Sequence, residues 1–253
     1  LTIGKPSNTT ALTLAATSIN GPITLYGGAL TLSGALATTN TTTGNMSLNG
    51  TTLSGGSLSV ANNRTLTLNL SATTTYAGTI TGTDLNVVKD GAGILTLTGT
   101  NTPNYATLTI SGGTYSLNAN QKLTLTGTLT NNGTFTLKDG ATFVPGTSGT
   151  SIVGSGTYNV EKQLDGNSAT WNSTTSGRFW YMGVPMNAIA RSSFGNYASG
   201  SNRVWSYNEV SKQYTEISSD ATTLVAGTGY VHRRSTDGTL TFSATGANGL
   251  FSS

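Results

Sequence analysis

His232 is the one histidine in 253 residues, and there is no cysteine. The side chains that most often serve as general bases, thiol nucleophiles and soft metal ligands are therefore almost absent. His232 sits in GYVHRRS (229–235) with no acid in its own segment to orient it as a Ser-His-Asp triad requires, and a lone imidazole makes a poor metal site. On a strand beside Arg233 and Arg234 it reads as a surface residue. The nine acids do not cluster, whereas glycoside hydrolysis needs two carboxylates facing one cleft. The first 158 residues offer only Asp84, Asp90 and Asp139, and the last two precede Gly91 and Gly140 as turn residues do. Calcium loops of the EF-hand and β-roll kinds are missing. There is no phosphate loop, and GxGxxG-like strings carry no information among 33 glycines. The expectation is no catalytic residue, no metal site, no cofactor and no enzymatic activity.

Aromatic side chains are the remaining candidates for ligand contact. Trp171 lies in a polar stretch, NSATWNSTTSG (167–177), which favours exposure. Phe179, Trp180 and Tyr181 follow one another, so on a strand they point to both faces, and at least one must be exposed or covered by a neighbour. Trp180 and Trp205 read as core. Trp171 and Tyr181 are the expected ligand contacts.

The elements that must carry these residues fall in two regions. Charged residues make up 8% of the chain, against about 25% in an ordinary soluble domain. That excludes coiled coils and helical bundles, which need Glu and Lys at helical period. A net charge of +3 excludes a strongly charged disordered tail. The pI of about 9.2 comes from 12 basic and 9 acidic groups spread thinly, which is no nucleic-acid surface. No run of about 20 apolar residues exists to cross a membrane as a helix, so membrane insertion is not expected. The first 158 residues hold eight charges and no Glu, His or Trp, and the last 95 hold thirteen charges and all three tryptophans. The shift follows the Gly/Ser-rich stretch 144–156, and the expected domains are 1–157 and 158–253.

Residues 1–157 alternate apolar and small polar residues at period two, as in TLTLNL (65–70), TLTI (107–110) and KLTLTGTLT (122–130). That is the strand period, and Thr suits a pleated surface because its Cβ is branched. The string x-GG-x-strand recurs at Gly27-Gly28, Gly55-Gly56 and Gly112-Gly113, which predicts a unit of about 28 residues. Short strands without helices stack most naturally as a parallel β-solenoid. Leu, Ile and Val then point inward, with a core that needs no large aromatics, and Thr, Ser and Asn point outward. An antiparallel sandwich is the competing arrangement. In the solenoid, Leu95, Leu97, Leu108 and Ile110 are buried while Thr96, Thr98, Thr107 and Thr109 face out. The Thr-x-Thr runs are too irregularly spaced for an ice-binding lattice. Residues 158–253 contain five or six strand-like runs with turn signals such as Ser199-Gly200, Gly227-Thr228-Gly229 and Asp237-Gly238, which predicts a small antiparallel β-sandwich.

Two resemblances add to this. KDGAGILTLTGTNTPNYATLTISGGTYSLN (89–118) resembles the passenger repeat of autotransporter-type adhesins. Lys89, Gly91, Gly93, Leu95, Leu97, Gly99, Asn101, Ile110 and Gly113 fall on its pattern, while Tyr105 is displaced by Pro103-Asn104. The resemblance implies a right-handed β-helix. The succession GTYNVEKQL (156–164), GRFWYMGVPM (177–186), RVWSYNEVSKQYTEI (203–217) and LVAGTGYVHR (224–233) is similar to a module of large secreted surface proteins of Bacteroidota. There it follows a repetitive β region and precedes a type IX secretion sorting domain, and some of these proteins are gliding adhesins. This implies a non-enzymatic, adhesive segment of a bacterial cell-surface protein, extracellular and held at the outer membrane. Its partners would be surface glycans or other cell-surface components, together with the export and anchoring machinery, and not nucleic acid. The alternative is a carbohydrate-binding accessory region of a secreted polysaccharide-processing enzyme. The absence of Met at Leu1 and of a signal peptide is expected of a segment from a longer protein.

Overall fold

The computed structural model describes residues 1–98, 102–146, 151–166, 178–197 and 202–246. The chain divides into two compact units, Leu1–Thr157 and Tyr158–Ser253.

The first unit is a parallel β-solenoid of about seven turns. Each turn lays down up to three short strands on three faces. The first face is one eight-stranded parallel sheet, from Thr2–Ile3 through Ile23–Tyr26, Met46–Gly50, Thr65–Leu70, Asn86–Asp90, Thr107–Ile110 and Leu129–Asn131 to Ile152–Val153. The second face includes Ala29–Leu32, Ile94–Leu97 and Thr114–Leu117, and the third Leu36–Thr38 and Lys122–Leu125. No hairpin forms at Gly112-Gly113: the strands on either side, Thr107–Ile110 and Thr114–Leu117, each pair in parallel with strands of neighbouring turns.

The step between turns follows from the register on the first face. Thr2, Thr24, Ser47, Thr67, Val88, Thr109, Thr130 and Val153 stand in one column, so a turn takes 20 to 23 residues. The 28-residue unit expected from the glycine pairs is wrong. Gly27-Gly28 and Gly112-Gly113 lie where the first face turns into the second, while Gly55-Gly56 lies where the second turns into the third. The corners are built instead from single glycines stacked turn on turn. A Cβ on Gly56 would lie 2.0 Å from the Gly34 carbonyl oxygen, and one on Gly78 would lie 2.1 Å from that of Gly56. The same approach joins Gly93, Gly113, Gly133 and Gly156. Successive backbones touch at these corners, and glycine is there because no side chain fits.

Strand alternation sorts the side chains. Leu95, Leu97, Leu108 and Ile110 are fully buried, and Thr98, Thr107 and Thr109 are partly exposed. Thr96 departs from the expectation: it is 8% exposed, and its row-mates Ser116 and Thr136 are also buried. The core also uses large rings, contrary to the sequence reading. Tyr76, Tyr105, Tyr115 and Phe135 are buried to 1% or less, with Tyr115 and Phe135 stacked at 6.2 Å. Tyrosine is tolerated because its hydroxyl finds a partner: Tyr76 donates to the Gly56 carbonyl at 2.5 Å, and the Tyr105 and Tyr115 hydroxyls meet at 3.3 Å.

One inward column reads Leu25, Leu48, Leu68, Lys89, Ile110, Asn131. Lys89 thus occupies a leucine position and is fully buried. Its ammonium reaches the corner and donates to the carbonyls of Asp90 at 2.6 Å, Gly91 at 2.9 Å and Gly112 at 3.4 Å. Burial pulls its pKa from 10.5 down to about 8, with the Asp90 charge opposing the shift. Asn131 does related work two turns on, donating to the Thr157 carbonyl at 2.9 Å and accepting from the Gly133 N–H at 3.1 Å. Gly91 (φ +74°) and Gly140 (φ +80°) hold the left-handed conformation their Asp-Gly turns require.

The second unit is a small antiparallel β-sandwich. Its main sheet orders Arg178–Gly183, Gly229–Arg234, Asn202–Asn208 and Gln213–Glu216. A second layer sets Gly238–Thr245 beside Thr157–Leu164, linked by Thr239–Gln163 and Ser243–Asn159 side-chain hydrogen bonds of 2.7 Å each. The 3-10 turn Arg191–Phe194 lies between the layers. Phe194 is fully buried and packs edge-on against Phe242 at 5.2 Å and against the His232 ring at 5.1 Å.

Candidate ligand site on the outer aromatic face

Register across the main sheet settles which side chains share a face. Tyr181 stands opposite Val231, which stands opposite Trp205, and Phe179 opposite Arg233. Tyr207 pairs with Tyr214 and Gly183 with Gly229. Alternation therefore puts Phe179, Tyr181, Gly183, Trp205, Tyr207, Tyr214, Gly229 and Val231 on one side. Trp180, Val204, Tyr230 and His232 point to the other, the core side.

His232 is thereby an interior residue, contrary to its expected surface position. It is fully buried. The two neighbouring arginines misled the sequence reading. Arg233 is 1% exposed with its guanidinium 5.7 Å from the Phe179 ring, and Arg234 donates to the Thr236 carbonyl at 2.6 Å. The His232 Nδ1 lies 3.1 Å from the Arg203 carbonyl oxygen, while Nε2 is buried without a hydrogen-bond partner among the described residues. Burial lowers its pKa to about 4, aided by the nearby Arg234 and Arg191 charges. It is a neutral core side chain.

Arg191 braces the strand that carries Trp205 and Tyr207. Its guanidinium is wholly buried and donates to the Asp220 carboxylate at 2.7 Å, the Gly195 carbonyl at 2.5 Å, the Asn202 carbonyl at 2.6 Å and the Ile217 carbonyl at 3.2 Å. Asp220 also accepts from the Tyr197 N–H at 2.9 Å, and Tyr197 lies under both Arg191 and Arg203. A planar cation with five donors is the side chain suited to such a knot. Nothing short-range in the sequence marks it.

With the core side filled, the aromatic residues of the opposite side are left to solvent. Tyr181 is 76% exposed, Tyr214 55%, Phe179 46% and Tyr207 42%. The Tyr207 and Tyr214 rings lie 4.9 Å apart, and those of Phe179 and Trp205 6.2 Å. A single exposed ring is unremarkable, whereas a contiguous apolar patch marks an interaction surface. Of the two expected contacts, Tyr181 is on this face. Trp171 and the Ser199-Gly200 turn lie outside the described residues. The sequence reading missed Tyr207 and Tyr214, although the alternation in Trp205-Ser206-Tyr207 and Tyr214-Thr215-Glu216 carries the signal.

Among the described residues, no three His, Asp or Glu side chains gather as a metal site, and no helix is long and apolar enough to cross a membrane. Comparison with protein-family models, with curated proteins and with solved structures returns no match.

Proposed function

We propose that the chain is a non-enzymatic, adhesive segment of a bacterial cell-surface protein, in which the solenoid is a stiff spacer and the sandwich a binding module. The exposed aromatic face carries this reading. Four large rings facing water have no role in the core of the unit, and they stand together on a rigid sheet. The solenoid supports the spacer role: seven turns at the sheet spacing of about 4.8 Å rise roughly 35 Å, held by backbone ladders that salt does not screen. The resemblances to autotransporter-type passengers and to type IX secretion substrates motivate the extracellular, outer-membrane setting, with gliding adhesins among the candidates.

The test is adsorption of the purified chain to bacterial and eukaryotic cell surfaces. Wild type should bind, and the Tyr181→Ala/Tyr214→Ala variant should lose at least tenfold in affinity while its unfolding midpoint stays unchanged. Equal binding by both proteins refutes the assignment. Immunolabelling of intact source cells should find the protein outside, and an exclusively internal signal refutes the location. The same aromatic face also favours a second reading, a carbohydrate-binding accessory region of a secreted polysaccharide-processing enzyme. A catalytic domain in the flanking sequence would select it.

A further inference from the structure

We infer that the outer face of the sandwich holds a two-ring slot for an uncharged saccharide chain. The inference rests on the reading of this face as a binding surface and adds the ligand.

Two hollows lie side by side on the face. One, of about 410 Å³, is walled by Tyr181 on one side and by Tyr207 and Tyr214 on the other, with Gly229 and Val231 as floor and Glu209 at the rim. The other, of about 300 Å³, is closed by Phe179 and Trp205 and shares Tyr181, Tyr214 and Val231 with the first. Tyr181 and Tyr214 border both. The hollows are therefore contiguous along the strand, each at the small end of ligand sites.

The first hollow opens over Gly229, an outward position without a side chain. Gly183 and Gly229 are register partners. A Cβ on Gly229 would meet no atom of the described residues within 4 Å, so neither backbone crowding nor a left-handed turn among them explains the glycine there. What its absent side chain leaves is open space between tyrosine walls. In that space the flat ring faces offer apolar contact, and the tyrosine hydroxyls, Thr228 and the Glu209 carboxylate offer hydrogen-bond partners at the edge. A pyranose ring has the matching chemistry, with C–H faces and hydroxyl edges. Among the described residues Glu209 is the one charged side chain lining either hollow, while Arg233 stands against the Phe179 ring that closes the second, so it is the Glu209 carboxylate at the rim of the first that disfavours a uronate or sulfated ring there.

The probes are neutral hexasaccharides of β-1,4-glucose, β-1,3-glucose and α-1,4-glucose, with polygalacturonate as the charged chain, titrated into the full chain by calorimetry. At least one neutral hexasaccharide should bind. Gly229→Leu fills the slot from a backbone position any residue can adopt, and should weaken that binding at least tenfold with an unchanged unfolding midpoint. Tyr181→Ala should do the same, while Glu209→Gln should narrow the margin over polygalacturonate. Neutral-saccharide binding that survives Gly229→Leu overturns the slot. If no saccharide binds but Tyr181-dependent adsorption to cells persists, the saccharide assignment falls and the adhesive reading stands. Loss of both overturns the two together.

Discussion

Acid should destabilise the second unit through His232, by an amount fixed by the burial of one imidazole. Its folded pKa is about 4 against 6.5 for a free histidine. Above pH 6.5 the side chain is neutral in both states and has no effect. As pH falls from 6.5 to 4, the unfolded chain takes up a proton that the folded unit refuses, so stability is lost through that window. A shift of this size corresponds to about 3 kcal/mol by the bottom of it, at about 1.4 kcal/mol per unit shift. That is a large part of the stability of a unit this small. Refusal follows from the surroundings: the ring is buried, Nε2 has no acceptor among the described residues to receive a new proton, and Arg234 and Arg191 are already positive, which together outweigh the Arg203 carbonyl at Nδ1 that by itself favours the charged form.

The assay is selective because all three tryptophans lie beyond residue 158, so their fluorescence reports this unit alone. Urea unfolding at pH 7, 6, 5 and 4.5 should show the midpoint falling in wild type. His232→Gln removes the titrating group while leaving every carboxylate in place. Its midpoint should start lower, because an interior contact is lost, and should fall less steeply. Parallel profiles for the two proteins between pH 6.5 and 4.5 would refute the argument.

Three further outcomes follow from the geometry. Arg191→Met leaves the Asp220 carboxylate and three carbonyls without their shared donor, and should cost about 3–5 kcal/mol by tryptophan-monitored unfolding; a loss below 1 kcal/mol would show the knot to be dispensable. Gly56→Ala drives a Cβ onto the Gly34 carbonyl at 2.0 Å and should lower the solenoid's melting temperature by circular dichroism, with the sandwich signal unmoved; an unchanged melt would disprove the corner contact. Lys89, with its folded pKa lowered to about 8, is neutral in the folded and charged in the unfolded chain above that pH, so solenoid stability should rise between pH 8 and 9.5. The window must stop there, because the raised pKa values of Tyr76, Tyr105 and Tyr115 reverse the slope once unfolded tyrosines ionise. Lys89→Met should abolish the rise, and a rise of equal size in that variant would be fatal to the assignment.

The solenoid was legible because its determinants are local and repeated. Period-two runs such as Leu66, Leu68 and Leu70 place their side chains inside whichever strand lies next to them, so pattern alone fixes the face. The turn length was not legible from Gly-Gly pairs, since a pair can serve at either of two different corners. The stacked single glycines that set the step are recognisable only once the register is known. Lys89 shows the same limit in one residue. Its position in the run Asn86–Asp90 calls for an apolar side chain, and what admits an ammonium is the convergence of three carbonyls, one of them from the next turn.

In the sandwich the determinants are long-range, and single residues change their meaning with the partner strand. His232 was misplaced because charge next door in sequence is not charge next door in space. On a strand, Arg233 faces the opposite side, where the Phe179 ring screens it from water and flanks the candidate slot. The same alternation that buried His232 exposes Tyr181, and Gly229 on the same side leaves the space between the tyrosines open. Core and candidate site are therefore two faces of one pairing pattern. A shift of one residue in the register of Gly229–Arg234 would put Tyr230 and His232 on the surface and close the slot with a side chain. Binding by this face and folding of this sheet must then be lost together under denaturant, while Gly229→Leu separates them by removing the first without the second.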